Sequence, residues 1–353
     1  MKAAAFLKLL LQKKRFVILS HVRPDGDAIG SQIGLGRFLR KLKKEVLLIS
    51  QDPAPFNLQW LAGQEIEIFD GSLRQREWIA GADALVIVDT NTLDRLGDLA
   101  GPVNQSDATR FLIDHHPDAA PCFDYAYVRE SAAATGELIY ELIAAHTLEA
   151  IDKPIATALY TAIMTDTGSF QYSNVTPEVH RIVADLLERG HLNPAPIHDA
   201  VFNTRTLGGL RLLGMALETM TLLFGGKLAY MYVSQEMLEK AGATRDDVEG
   251  FTSYVLSVQG VQVGLLFFET GTGTKVSFRS KGDIAVNEWA RHFGGGGHRN
   301  ASGAFIKKPL SEAIQEVLNV ACQYLPFCEH TVSNSDALSL EDEALLSAFE
   351  KNT

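Results

Sequence analysis

In the first half of the chain, short unbroken apolar runs alternate with stretches of helical spacing. Phe16-Val17-Ile18-Leu19-Ser20 is one such run, and Ile29, Ile33, Leu35, Leu39 and Leu42 follow it on one helical face. Further runs are Glu45-Val46-Leu47-Leu48-Ile49, Ala84-Leu85-Val86-Ile87-Val88 and Phe111-Leu112-Ile113. Continuous runs, unlike alternating ones, belong to strands covered on both faces, which is the habit of parallel sheets. The pattern predicts an N-terminal α/β domain, a doubly wound and mainly parallel sheet.

From Ala132 onward the pattern turns helical. Ile155, Leu159 and Ile163 mark one helix. A second opens at Thr176-Pro177, with Thr as N-cap and Pro in the first helical position, and closes at Gly190. The stretch to Gly226 holds Pro194, Pro196 and a Leu/Met-rich amphipathic segment, and reads as a linker with a connecting helix. Beyond it, Leu228 to Val233, Val261 to Glu269 and Thr274 to Arg279 read as strands, and Ile284 to His292 as a helix. The expected organisation is a catalytic domain over 1–190, a linker and helix over 191–225, and a smaller α/β substrate domain over 226–330. The two domains are expected to face each other across a cleft. An acidic, Ser-rich tail over 331–353, with one short helix, completes the chain.

Composition narrows the function classes. Three cysteines, Cys122, Cys322 and Cys328, are few, odd in number and without C-x-x-C spacing, which argues against a disulfide framework or a structural zinc site. The N-terminal apolar stretch is broken by Lys8 and closed by Lys13, Lys14 and Arg15, so it reads as an amphipathic helix and not a signal peptide. No run approaches the ~20 apolar residues of a membrane span. A soluble, cytoplasmic protein with no membrane partner is expected. A net charge of −11 disfavours coating of long duplex nucleic acid. Between Lys275 and Lys308, however, seven basic residues stand against two acidic ones, a patch suited to a small anion.

The chemistry sits where the strands end. The first run ends in His21, followed by Asp25-Gly26-Asp27; the run through Val88 ends in Asp89-Thr90; the run through Ile113 ends in Asp114-His115-His116. In open α/β sheets ligands bind outside the carboxyl ends of strands, where such residues converge. Thr165-Asp166-Thr167-Gly168 adds a further carboxylate. Taken singly, Asp25-Gly26-Asp27 reads as a turn, Asp89 as a helix cap and the paired histidines as incidental; their joint placement makes the metal reading. Imidazole with several carboxylates and no thiolate suits Mn²⁺, Fe²⁺ or Zn²⁺. Six candidate ligands suit two ions sharing a bridging carboxylate, an arrangement that clamps both oxygens of a phosphoryl displacement. In the second domain, Gly294-Gly295-Gly296-Gly297 is expected as a loop whose backbone closely approaches an anion, with His298 and Arg279 as phosphate donors. Ser131 to Gly136 is assigned only a minor backbone contact.

The order His-x-x-x-Asp-Gly-Asp, Val-Asp-Thr, Asp-His-His and Thr-Asp-Thr-Gly resembles the DHH phosphoesterase superfamily. Phe278-Arg279-Ser280-Lys281-Gly282 and Gly294 to Gly303 resemble its associated substrate domain. Together, over about residues 1–325, the blocks resemble the NrnA-like nanoRNase/pAp phosphatases. The resemblance implies two divalent ions, Mn²⁺ first, with Mg²⁺, Co²⁺ or Fe²⁺ as alternatives. It implies His21, Asp25, Asp27, Asp89, His115 and Asp166 as ligands and Asp89 as the bridge. It implies His116 facing substrate, Asp114 orienting its neighbours, and Arg279, Gly296, Gly297 and His298 binding substrate. The implied reaction is hydrolysis of short single-stranded oligoribonucleotides to mononucleotides, and of 3′-phosphoadenosine 5′-phosphate to AMP. Rival readings are a pyrophosphatase or exopolyphosphatase, a RecJ-like exonuclease, a cyclic or linear dinucleotide phosphodiesterase, and a non-catalytic cyclic-dinucleotide sensor. Metal identity, substrate length and oligomeric state, with a homodimer among the options, are left open.

Overall fold

The computed structural model describes residues 1–328. The short helix expected in the acidic tail lies outside the described residues. The chain divides into two compact units, Met1–Thr204 and Arg205 onward.

The first unit runs α1 (Ala3–Leu10), β1 (Arg15–Leu19), α2 (Gly26–Lys41), β2 (Glu45–Ser50), α3 (Gln59–Ala62), β3 (Ile66–Ile68), α4 (Leu73–Ala80) and β4 (Ala84–Val88). It continues α5 (Ala100–Gln105), β5 (Thr109–Asp114), β6 (Tyr125–Val128), α6 (Thr135–Ala144), α7 (Lys153–Asp166), α8 (Pro177–Gly190) and α9 (Pro194–His198). The six strands form one sheet in the order β3-β2-β1-β4-β5-β6, and every pairing is parallel. The sheet is doubly wound, as the unbroken apolar runs predict. Phe16, Ile18, Val86 and Val88 join a core with α1, α2, α6, α7 and α8 on one face. Val17, Leu19, Leu85 and Ile87 join a second core under the other face. β3 and β6 are absent from the sequence reading; each is four residues or fewer and only partly buried, so neither makes a long apolar run.

This topology decides where chemistry can sit. β1 pairs with both β2 and β4, so the winding reverses between β1 and β4. A crevice opens at the carboxyl ends of such a pair. His21 follows β1 and Asp89 follows β4 directly at that point.

α2 and α7 carry two of the site's carboxylates and pack unusually close, because α2 presents Gly26, Gly30 and Gly34 to α7. A Cβ on Gly30 would lie 2.3 Å from the Ala158 carbonyl oxygen and 2.8 Å from the Ala162 Cβ. Backbone cannot yield as a flexible side chain does, so the helices would have to part. Gly30→Ala is expected to cost this unit about 1–3 kcal/mol, read as a lower urea midpoint. An unchanged midpoint would mean that α2 and α7 have room to spare.

The second unit runs α10 (Leu207–Glu218), β7 (Thr221–Leu223), β8 (Leu228–Val233), α11 (Gln235–Ala241), α12 (Phe251–Ser257), β9 (Val263–Thr270) and β10 (Gly273–Ser280). It ends α13 (Val286–His292), β11 (Gly296–His298), β12 (Ala301–Ile306) and α14 (Leu310–Asn319). Its mixed sheet has the order β11-β12-β10-β9-β8-β7, with β8 and β9 parallel. α13 and α14 cover one face; α10, α11 and α12 cover the other. The segment read as linker and connecting helix is divided, α9 belonging to the first unit and α10 to the second. Among the described residues no helix is long and apolar enough to cross a membrane, and Cys122, Cys322 and Cys328 are free thiols.

Candidate metal centre

Asp25 caps α2: its Oδ1 accepts from the Asp27 and Ala28 N–H groups, both at 3.1 Å. Its Oδ2 is left facing the His21 Nε2 at 3.9 Å. Asp89 sits at φ +58°, in the left-handed region. Asp tolerates that region better than most residues, and non-glycine residues held there cluster at functional sites. The turn aims its carboxylate back over the sheet edge, where Oδ2 lies 3.4 Å from the His21 Nε2 and Oδ1 lies 3.6 Å from the His115 Nε2.

Each of these histidines has a fixed tautomer. The Nδ1 of His21 lies 2.9 Å from the Val22 carbonyl oxygen, and that of His115 lies 3.2 Å from the Ala132 carbonyl oxygen. A carbonyl only accepts, so Nδ1 carries the proton and Nε2 presents a lone pair. The His115 Nε2 looks onto Asp166 at 3.4 Å, Asp89 at 3.6 Å and Asp27 at 3.9 Å. Asp27 is nearly fully buried and accepts from the Thr135 N–H at 2.6 Å, the Gly136 N–H at 2.9 Å and the Ser31 hydroxyl at 3.1 Å.

Groups of potential ligand atoms within 4.8 Å of one another include His21, Asp25 and Asp89, then Asp27, His115 and Asp166, and also Asp89, Asp114 and His116. Histidine ring nitrogens face the carboxylates of Asp25, Asp27, Asp89 and Asp166 at 3.4–3.9 Å. Burial raises the pKa of Asp89 and Asp166 well above the usual carboxylate range, and that of Asp27 as well. For Asp89 the neighbouring carboxylates of Asp27 and Asp25 push in the same direction. Lone pairs facing clustered carboxylates, of which Asp27 and Asp89 are buried, form a repulsive constellation. The donor set fits divalent cations, which would turn that repulsion into coordination.

Asp114 and His116 stand beside the first two groups. Asp114 is fully buried, and its Oδ1 accepts from the His116 backbone N–H at 3.2 Å and the His116 Nδ1–H at 2.8 Å. That bond fixes the ring and leaves Nε2 pointing away from Asp114.

In the second unit, Arg279 lies on β10, where its Nη1 donates to the Phe278 carbonyl at 3.0 Å. The expected glycine loop is corrected. Gly294, at φ +70°, ends α13, and its N–H and that of Gly295 donate to the Arg291 and Ala290 carbonyls. Those two N–H groups cap the helix and are not available to an anion. Gly296, Gly297 and His298 form β11, paired with β12 and exposed.

The sequence reading gives Thr135 no more than a share in the minor backbone contact of Ser131 to Gly136, and gives Glu137 and Asn174 no role. In the fold, Thr135 bonds Asp27 and Asp89, Glu137 accepts from the Ala133 N–H, and Asn174 donates to the carbonyls of Ala133 and Asp166. The Thr135-Gly136-Glu137 triplet at a helix start was the available signal.

Comparison with known proteins agrees with this architecture. The DHH family N-terminal domain matches residues 15–163, and the DHHA1 domain matches residues 225–326. The bifunctional oligoribonuclease and PAP phosphatase NrnA of Thermus thermophilus is 36% identical over 310 residues, covering 87% of this chain and 89% of that protein. The Bacillus subtilis protein of the same name is 29% identical over 299 residues, covering 82% and 88%. An exopolyphosphatase-related protein from Bacteroides fragilis, a solved structure, matches with a TM-score of 0.84 at 31% identity, over 90% of this chain and 95% of its own. With both domains present in order, and with a relative matched along nearly its whole length, this chain belongs to the DHH family.

Proposed function

We propose that the chain is a dinuclear metal-dependent phosphoesterase. Its proposed substrates are short single-stranded oligoribonucleotides, hydrolysed to mononucleotides, and 3′-phosphoadenosine 5′-phosphate, hydrolysed to AMP. The names of the Thermus and Bacillus relatives support the substrate class. The observation that carries the dinuclear reading is Asp89, whose two oxygens face different clusters, Oδ2 toward His21 and Oδ1 toward His115. One ion would be held by His21, Asp25 and Asp89, the other by Asp27, Asp89, His115 and Asp166, with Mn²⁺ favoured by the oxygen and imidazole donors. Such ions supply Lewis-acid neutralisation of phosphoryl oxygens and acidify the attacking water.

The chain's own residues do the rest. His21 and His115 keep Nε2 deprotonated toward the centre through their Nδ1–carbonyl bonds. His116, its Nδ1–H held by Asp114, would in its doubly protonated form give the Nε2 proton to the leaving oxygen. Arg279, Gly296, Gly297 and His298 are assigned to substrate, Arg279 through charge-assisted bonds to a phosphate.

The test is mononucleotide release from dinucleotides, longer single strands, duplexes, 3′-phosphoadenosine 5′-phosphate and polyphosphate, with Mn²⁺, Mg²⁺, Co²⁺ or Fe²⁺ or with chelator. Activity on the short single strands and the bisphosphate, absent in chelator, is expected. Turnover of polyphosphate alone would replace this reading with an exopolyphosphatase. Arg279→Ala should raise KM about tenfold or more, the worth of a charge-assisted bond of ~1.5–3 kcal/mol, with kcat changed only a few-fold. A fall in kcat with KM unchanged would move Arg279 from substrate binding to the chemical step.

A further inference from the structure

The two ligand clusters hang on different elements, and one strap ties them together. α6 has Ala134 at its N-cap, with no side chain to satisfy the first N–H groups. Those donors go to Asp27 instead: the Thr135 N–H donates to Oδ2 at 2.6 Å and the Gly136 N–H to Oδ1 at 2.9 Å. A residue more than one hundred positions away thus caps the helix, and the positive end of the helix supports its charge. The Thr135 hydroxyl turns the other way and donates to the Asp89 Oδ1 at 3.1 Å. Thr135 is fully buried, so neither bond is shared with solvent.

The rest of the strap is pinned. The Glu137 carboxylate accepts from the Ala133 N–H at 2.7 Å and from Arg129 at 2.6 Å. The Asn174 amide bridges the Ala133 carbonyl at 3.0 Å and the Asp166 carbonyl at 3.1 Å. Ala132 supplies the carbonyl that sets the His115 tautomer. Residues 132–136 therefore touch Asp27, Asp89, His115 and, through Asn174, the backbone of Asp166.

We propose that Thr135 is the positioning residue that sets the distance between the two ion sites, by donating to one carboxylate of each cluster. The proposal rests on the dinuclear reading above. With its N–H on Asp27 and its hydroxyl on Asp89, the two carboxylates cannot drift apart as independent side chains would. The hydroxyl also occupies one lone pair of the Asp89 Oδ1, which orients the remaining one toward His115.

Thr135→Val keeps the shape and the backbone N–H and removes only the hydroxyl; Thr135→Ser keeps the hydroxyl and removes the methyl. Mn²⁺ binding to chelator-stripped protein, followed by calorimetry and by the thermal shift on adding metal, separates the roles. Wild type and Thr135→Ser should take up two ions. Thr135→Val should bind the second about 10–100-fold more weakly, the usual range for losing such a partner, while its stripped form melts close to stripped wild type. If Thr135→Val takes up two ions with wild-type affinity, the proposal is overturned. It is equally overturned if Thr135→Ser is as impaired as Thr135→Val, or if Thr135→Val lowers only the stripped protein's melting temperature; should Thr135→Val not fold, the Ser variant alone decides. Wild type taking up a single ion would instead sink the dinuclear reading itself.

Discussion

Asp89→Asn should abolish hydrolysis while making the metal-free protein more stable. The side chain is buried, sits at φ +58°, and offers one oxygen to each cluster. Asn is the informative replacement, because it tolerates the left-handed region where Ala would add strain. Its amide oxygen can still accept from the Thr135 hydroxyl, and its NH₂ can donate to the His21 Nε2, where Asp89 now sets one acceptor 3.4 Å from another. What it cannot do is bridge two cations with negative charge. Losing one preorganised electrostatic partner costs about 10²–10³ in kcat, and a group that serves both ions belongs at or beyond the top of that range. Stability should move the other way, since burial and the charges of Asp27 and Asp25 already oppose ionisation of Asp89. Each kcal/mol of relieved repulsion raises the melting temperature of a unit this size by roughly 2–4 °C. Full activity in the Asn variant would end the bridging role. Lower stability of the stripped variant would show that Asp89 is held by attractive contacts and not by a missing cation.

The opposition between function and stability at Asp89 also explains what the sequence could reveal. The apolar runs through Leu19, Val88 and Ile113 marked their strands because both faces are buried, and the polar residues after them stood out by contrast. His21, Asp25, Asp27, Asp89, His115 and Asp166 were therefore legible as one cluster, since parallel strands bring their carboxyl ends to one edge. Thr135 and Asn174 were not. Much of their work is done through backbone N–H and C=O groups, or on them, and every residue carries those groups. The Thr135 and Asp27 pairing spans 108 positions, which no local pattern announces. That Gly296 to His298 form a strand is hidden in the sequence for a related reason. A glycine run looks like a loop until its partner strand, Ala301–Ile306, is known. In the fold, Gly295 has a further constraint invisible in the sequence, since a Cβ there would lie 2.1 Å from the Gly303 carbonyl oxygen. Short, half-buried strands such as Ile66–Ile68 fail the same test, having too few residues to make a pattern.

Removing metal should expose the same repulsion as a dependence of stability on pH, with a definite sign. The pKa values of Asp27, Asp89 and Asp166 are raised in the fold, mainly by burial, above the ordinary 3.8 of an exposed carboxyl group. A carboxyl raised in this way binds its proton more tightly folded than unfolded, so the folded state holds more protons above pH 3.8. The stripped protein's stability is therefore fully present below that pH and declines as pH rises toward each raised value. Metal ions reverse the trend, because they need the same groups deprotonated and bind more tightly as pH rises. At about one hundred times Kd, an ion adds about 2.7 kcal/mol, or roughly 5–11 °C of melting temperature for a unit of this size. The expected result is a Mn²⁺-induced shift that is small near pH 5 and large near pH 8, the reverse of the stripped protein's own trend. Taking the difference between metal-loaded and stripped samples at each pH cancels every titrating group remote from the centre. Asp89→Asn should flatten both trends together. A Mn²⁺ shift of equal size at both pH values would mean that these carboxylates do not compete with protons for the ion, and the centre as drawn would be wrong.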